Sequence, residues 1–300
     1  MKKNNTRFII LSVLLICFLS AELFAQKIYF CREGHVYVSD SLTNKETKLF
    51  EGTNPQISPN GKNIVYTQNE FSSTALKRYI GIYNNSTKKN LILKDIPGNE
   101  NFSPKWSPDS KHILFSHKKD SLTKAAVVYT SGKGFKVISN GMKTNIGIGG
   151  WKSDGKRVLL YDKENLFEVD INGEILKKTS LTKIIGEYGF SWDMNFQFFQ
   201  KDKVLIFTAL NDDDFIEGYV YAPSVLFIFD PMIGVPFRIT PKGLNVTSFN
   251  FMDNKSTIIF SALTSETIRK GKDNIYKIDT RGHNLKQILE NGVSPSFRKN

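Results

Sequence analysis

Cysteine is almost missing from this chain, which has only Cys17 and Cys31. Cys17 falls in a segment expected to be removed, and the one remaining thiol forms no intrachain disulfide. The folded part must then be held by its core. Cys31 ends an apolar run at 28–31, where a small buried residue is the expected role. Long hydrophobic runs are scarce too. The run at 8–19 is too short for a membrane-crossing helix, which needs ~20 apolar residues, and no later segment comes nearer. Catalytic signatures are missing: there is no Gly-x-Ser-x-Gly elbow and no His-Glu-x-x-His. Arg-rich runs and aromatic–basic motifs are also lacking, so no nucleic-acid partner is expected. The net charge of +12 is mostly dispersed lysine. It reads as a solvated basic surface, with weak attraction to anionic polymers as the sharper alternative.

Lys2, Lys3 and Arg7 stand ahead of the apolar run, and Leu23-Phe24-Ala25 places a small residue before Gln26. Residues 1–25 therefore read as a signal peptide, and the chain as exported. An uncleaved anchor is one alternative. A lipidated Cys17 is another, although Ile16 stands where a small residue would precede such a cysteine.

Aromatics are abundant, and the 23 Phe and 11 Tyr favour strands. The sharpest stretch is 102–116, FSPKWSPDSKHILFS. It reads as a strand, a turn at Ser107-Pro108-Asp109-Ser110, and a second strand. Pro presets φ in such a turn and Asp bonds its own backbone two residues on. The motif recurs at 54–66 and 150–160, with Ser58, Ser107 and Ser153 as anchors. Degraded copies lie at 198–207 and 249–260, and the start of a sixth at 294–298. Each unit continues with a third strand carrying an aromatic, Tyr83, Tyr129, Phe167, Phe227 or Tyr276. A short fourth strand follows. Four short strands per unit of ~45 residues is the pattern of a β-propeller blade.

Five units are complete. The C-terminal fragment 293–298 supplies one strand, and the N-terminal fragment supplies three, at 27–31, 35–39 and 48–50. Together they make a sixth blade. A closed ring buries every blade face, whereas a linear array exposes both ends. The expected fold is all-β: a six-bladed propeller of four-stranded antiparallel blades, closed by a blade shared between the termini. Residues 26–300 form one domain, and a monomer is expected.

At Pro104–Phe115, and less closely at 54–66 and 151–160, the chain resembles the TolB-type six-bladed propellers. Their WD40-like repeat reads P-x-W-S-P-D-G-x-x-I-x-F. The resemblance implies a bacterial envelope protein, in the periplasm, whose propeller binds another protein. Full TolB carries an α/β domain ahead of the propeller, and no room for one is expected after Gln26.

Function is expected on the face of the loops joining strands two and three, at 68–78, 117–124, 211–224 and 263–273. Long loops on a rigid scaffold commonly carry recognition. Asp212, Asp213 and Asp214 form the one acidic cluster, beside Tyr219 and Tyr221. They read as a cation site, a contact for a basic partner, or a solvated loop; the EF-hand spacing is missing. Arg269 and Lys270 are the basic counterpart, and Arg78 lies in the loop at 68–78. Gln56, Lys105, Lys152 and Asn250 are the candidates to face the channel, subject to strand register. Of the histidines, His112 and His117 flank one strand, five apart and so on opposite faces, and His35 and His283 fall in other units, which suggests no metal site. No cofactor and no catalytic residue is expected. The leading reading is a non-catalytic scaffold for a protein or peptide partner in the envelope. The rival is a glycan-directed lyase or hydrolase, or a module binding carbohydrate, including an anionic envelope glycan, at the channel mouth.

Overall fold

The computed structural model describes residues 26–299 apart from 42, 44, 73, 74 and 253–255. The signal-peptide reading lies outside the described residues. The chain opens with β1 (Gln26–Arg32), β2 (His35–Asp40) and β3 (Lys45–Glu51). Blade one is β4 (Thr53–Ile57), β5 (Asn63–Phe71), β6 (Leu76–Asn84) and β7 (Asn90–Ile92). Blade two is β8 (Asn101–Trp106), β9 (His112–Lys119), β10 (Leu122–Tyr129) and β11 (Lys136–Val137). Blade three is β12 (Gly147–Trp151), β13 (Arg157–Tyr161), β14 (Asn165–Asp170) and β15 (Ile175–Ser180). One turn of helix, α1 (Thr182–Ile185), leads to blade four: β16 (Phe196–Phe199), β17 (Val204–Leu210), β18 (Ser224–Phe229) and β19 (Pro236–Arg238). Blade five is β20 (Asn245–Phe251), β21 (Thr257–Leu263), β22 (Asn274–Asp279) and β23 (Lys286–Leu289), with α2 (Ser265–Ile268) after β21. The last strand, β24 (Val293–Lys299), joins β1 to give the order β24-β1-β2-β3. All pairings within the blades are antiparallel. The described residues hold no helix long and apolar enough to cross a membrane.

Strand two of each blade is an apolar run because both its faces pack on neighbouring blades. Ile64 to Tyr66, Ile113 to Phe115, Val158 to Leu160 and Ile258 to Phe260 are all buried. The core is thus a ring of inter-blade layers, such as Val65, Ile80 and Ile82 against Trp106, Ile113 and Phe115. Cys31 is buried as expected and donates its thiol to the Gly52 carbonyl at 3.6 Å.

The strand-one-to-two turns of blades one and two share one hydrogen-bond pattern, whereas Ser153 of blade three bonds Asp202 instead. In blade two, the Ser107 hydroxyl donates to Asp109 Oδ1 at 2.5 Å and accepts from the His112 N–H at 2.9 Å. In blade one, Ser58 and Asn60 repeat this at 2.8 and 3.0 Å. Serine, a turn carboxylate or amide, and the following strand close one small network.

Two expectations are corrected. The aromatic of strand three faces strand two in blades three to five, where Phe167 pairs with Leu160, Phe227 with Phe207 and Tyr276 with Phe260. In blade two the matching residue is Ala126, opposite Phe115, and Tyr129 is exposed at the strand end. In blade one it is Gly81, opposite Tyr66. A Cβ on Gly81 would lie 2.3 Å from the Tyr66 ring, so the aromatic has moved to strand two and taken the space. Second, 68–78 and 117–124 are not irregular loops. β5 and β6 pair out to Phe71 and Leu76, and β9 and β10 meet in a two-residue turn. Continued ladder pairing satisfies backbone groups that a loop would leave to water.

Candidate functional site: the channel mouth

Successive turns of an antiparallel blade alternate between its ends. The strand-two-to-three loops therefore share a face with the connections that lead from one blade to the next. On this face opens a cavity of about 740 Å³, lined by the innermost strands of five blades and, at blade four, by residues 191–195 just before β16.

The innermost strands reach it through a shared distortion. The ladder register shifts between Thr53 and Gln56, Phe102 and Lys105, Ile148 and Gly150, and Val246 and Ser248. β24 shifts likewise against β1. Asn54, Ser103 and Ser294 occupy the left-handed region there, with φ near 50°. A β-bulge bends its strand and re-aims the next side chains. Here it sends Gln56 and Lys105 into the cavity.

Lys105 donates to the Gly149 carbonyl of blade three at 2.5 Å and to Asn195 Oδ1, just before blade four, at 2.6 Å. It thus bridges three blades. Burial pushes its ammonium down to about 7. Lys152 and Asn250 do not line the cavity. Lys152 follows β12 at the opposite end and pairs with Glu168 at 2.7 Å, its ammonium 4.8 Å from the Phe198 ring. Burial pushes the Glu168 carboxyl up, but hydrogen bonds from Lys152 and Arg157 outweigh this and hold it below the usual carboxylate range.

Arg78 bears on the cavity indirectly. Its guanidinium pairs with Glu100 and sits 3.7 Å from the centre of the Phe102 ring, which lines the cavity. The hydrogen bond from Lys118, with that of Arg78, holds the Glu100 carboxyl below its usual range.

The acidic cluster does not converge. Asp212 and Asp213 are exposed, whereas Asp214 turns inward to Arg238 at 2.5 Å. Its Oδ1 is buried without a hydrogen-bond partner. No group of three or more metal-ligating side chains occurs among the described residues. Tyr219 lines the cavity and meets Tyr221 edge-on at 5.9 Å; Tyr221 stands in solvent. Arg269 forms an exposed pair with Glu217 at 2.7 Å, and Lys270 is exposed. This ties the 211–224 loop to the segment after α2. His117 is buried against Asn101 at 2.8 Å, and His112 packs on Tyr129 at 4.5 Å.

The connection at 181–195 was missed by sequence reasoning. Its Trp192 lines the cavity, half exposed, with the Lys163 ammonium 5.9 Å from its ring. Tyr161 anchors the segment: its hydroxyl donates to the Met194 carbonyl at 2.6 Å and lies 2.9 Å from that of Trp192. A signal was available: Trp192 is the one tryptophan outside a first-strand motif, in the longest stretch between repeats.

The sequence matches no family model, and no curated protein matches it. Solved structures do resemble it. TolB from Acinetobacter baumannii superposes with a TM-score of 0.68 at 14% identity, over 96% of this chain and 71% of that one. A putative TolB from Agrobacterium tumefaciens gives 0.62 at 11%, over 91% and 92%. A chain of a nidogen/laminin complex gives 0.59 at 10%, over 91% and 98%. Propellers of a lyase and of peptidases share the architecture as well. At such identities the likeness is one of fold, and on that ground this chain is a six-bladed β-propeller, similar in fold to the TolB structures.

Proposed function

We propose that this propeller is a non-catalytic scaffold of the bacterial envelope that captures a protein or peptide partner at the channel mouth. The observation that carries this reading is the set of side chains left free beside the cavity. Phe215, Val220 and Tyr221 are 76%, 88% and 73% exposed on one loop, next to cavity-lining Tyr219 and Trp192. Apolar tips grouped at a concave site are what partner surfaces bury. The resemblance to TolB-type propellers supports the same reading, and the N-terminal apolar segment supports export. A pull-down from envelope extract tests it. Shortening 211–224 should abolish capture; capture that is unchanged would sink the assignment to this loop.

A second reading is a glycan-directed activity or carbohydrate binding. Trp192 favours it, since a half-exposed indole at a cavity rim can stack on a sugar ring. A glycan array with no signal would remove it.

A further inference from the structure

Among the described residues Lys105 is the one cation lining the cavity, and no ion pair includes it. The other candidate cations near the channel are paired, Arg78 with Glu100 and Lys152 with Glu168. Lys105 meets only neutral acceptors, Gly149 O at 2.5 Å and Asn195 Oδ1 at 2.6 Å. Among the described residues no carboxylate lies within ion-pair distance of it. An ammonium has three N–H donors, so one is left for a ligand.

A charge taken out of water without a counterion is unfavourable, and cleft walls of low dielectric focus its field into the cavity. Apart from Asp193 the remaining lining is neutral and mixes polar with apolar side chains. Asn54, Gln56, Ser103, Ser248 and Ser294 offer donors and acceptors. The single acid among the lining residues, Asp193, is exposed. At about 740 Å³ the cavity falls in the range of small-ligand sites.

We propose that the channel cavity is an anion site whose ligand is a peptide carboxylate, an acidic side chain or a C-terminus, bound to Lys105. This rests on the partner-binding reading above. A peptide fits better than a uronic acid because Val220 and Tyr221, the exposed neighbours of cavity-lining Tyr219, offer apolar and aromatic surface. A peptide that inserts its acidic group lays neighbouring apolar side chains against them. A sugar chain has none to lay there.

The test uses the whole folded chain and three probes: acetate, the tripeptide Gly-Phe-Asp and trigalacturonate. Calorimetry and Trp192 fluorescence report binding. The tripeptide should bind saturably and tightest. Lys105→Met should weaken it at least tenfold, and Lys105→Arg should keep most of the affinity. Gly-Phe-Asn-amide offered to the unaltered chain asks the same question with no substitution, and should bind at least tenfold more weakly. No saturable binding by any probe, or equal binding of acid and amide, would overturn the assignment. Lys105-dependent binding that is tightest for trigalacturonate would overturn the peptide in favour of a glycan. Partner capture that survives Lys105→Met sinks the carboxylate contact and leaves the scaffold reading standing. Probe binding with no partner captured does the reverse.

Discussion

The indole N–H of Trp106 donates to the backbone carbonyl of Gln56 at 2.8 Å, and so ties blade two to blade one. Trp151 repeats the tie to the Lys105 carbonyl at 3.1 Å. In blades four and five a stacked pair, Phe199 and Phe251 at 5.6 Å, stands in its place. The tryptophans of the repeat are inter-blade pins, and Lys105 is held from behind by one of them.

Trp106→Phe should keep most of the packing but leave the Gln56 carbonyl without its donor. The expected loss is about 1–2 kcal/mol. Trp106→Ala also opens a cavity in a buried layer, and about 3–5 kcal/mol is expected. Urea unfolding of both variants measures the two parts. No loss in Trp106→Phe would show that the hydrogen bond contributes nothing, and equal losses in the two variants would show that the packing adds nothing to it.

Ring closure should be cooperative. β24 supplies the innermost strand of the closing blade, and Arg32 donates to the Glu290 and Asn291 carbonyls at 2.7 and 2.6 Å. Deleting 293–300 strips that strand and exposes the faces it covers. The truncated chain should unfold over a broadened transition with a reduced m-value. A melt identical to that of the full chain would contradict closure by the shared blade.

Gly61 and Arg298 should be coupled across the same closure. Gly61 has φ +67°, and an added Cβ would lie 0.6 Å from Arg298 Nη1. Gly61→Ala therefore meets two penalties, ~1–2 kcal/mol for the left-handed backbone and the displacement of a guanidinium. In an Arg298→Ala background only the first should remain. A double-mutant cycle reads the difference, and strict additivity would refute the contact.

Stability should rise with pH through the Lys105 window. The folded-state value is about 7, below the ordinary lysine value of 10.5. Between these the unfolded chain binds more protons, so unfolding free energy increases with pH, by at most about 1.4 kcal/mol per pH unit. Below pH 7 both states are protonated and the slope vanishes. Tyr161, Asp193 and Tyr219 share the cavity, so Lys105→Met provides the control. The difference between the two chains across pH 7 to 10 isolates Lys105, and a flat difference would contradict its burial.

Loop 211–224 should depend on Arg238. That residue holds Asp214 and also donates to the Thr240 and Pro241 carbonyls. Arg238→Ala leaves a buried carboxylate unpaired, and a loss of about 3–5 kcal/mol is expected. Limited proteolysis should then cut within 211–224 first. Replacing exposed Asp212 and Asp213 by Asn should change neither readout.

Much of the scaffold was legible because each blade repeats the same local problem. An apolar second strand and a short fourth strand mark every unit, a Ser-Pro-Asp turn or a variant of it marks the first three, and closure from 293–298 followed from the incomplete ends. The site was less legible. Gln56 and Lys105 reach the cavity while Asn250 and Lys152 do not, although all four innermost strands carry the register shift; Lys105 stands before its tryptophan, whereas Lys152 stands after Trp151 and past the strand end. A bulge depends on pairing with a neighbouring strand, which local sequence does not contain. Asp212 and Asp214 look alike in sequence, yet one stands in water and the other meets an arginine from 24 residues later.

Local chemistry alone thus determined the strands, the turns, the blade count and the chain's lack of covalent staples. Side-chain period, turn residues and an apolar second strand are all short-range properties. Only the closed ring decided which residues share the channel mouth. Lys105, Gly149 and Asn195 come from three blades, and their meeting depends on ring curvature and bulge register, which exist only once every blade has packed on its neighbours.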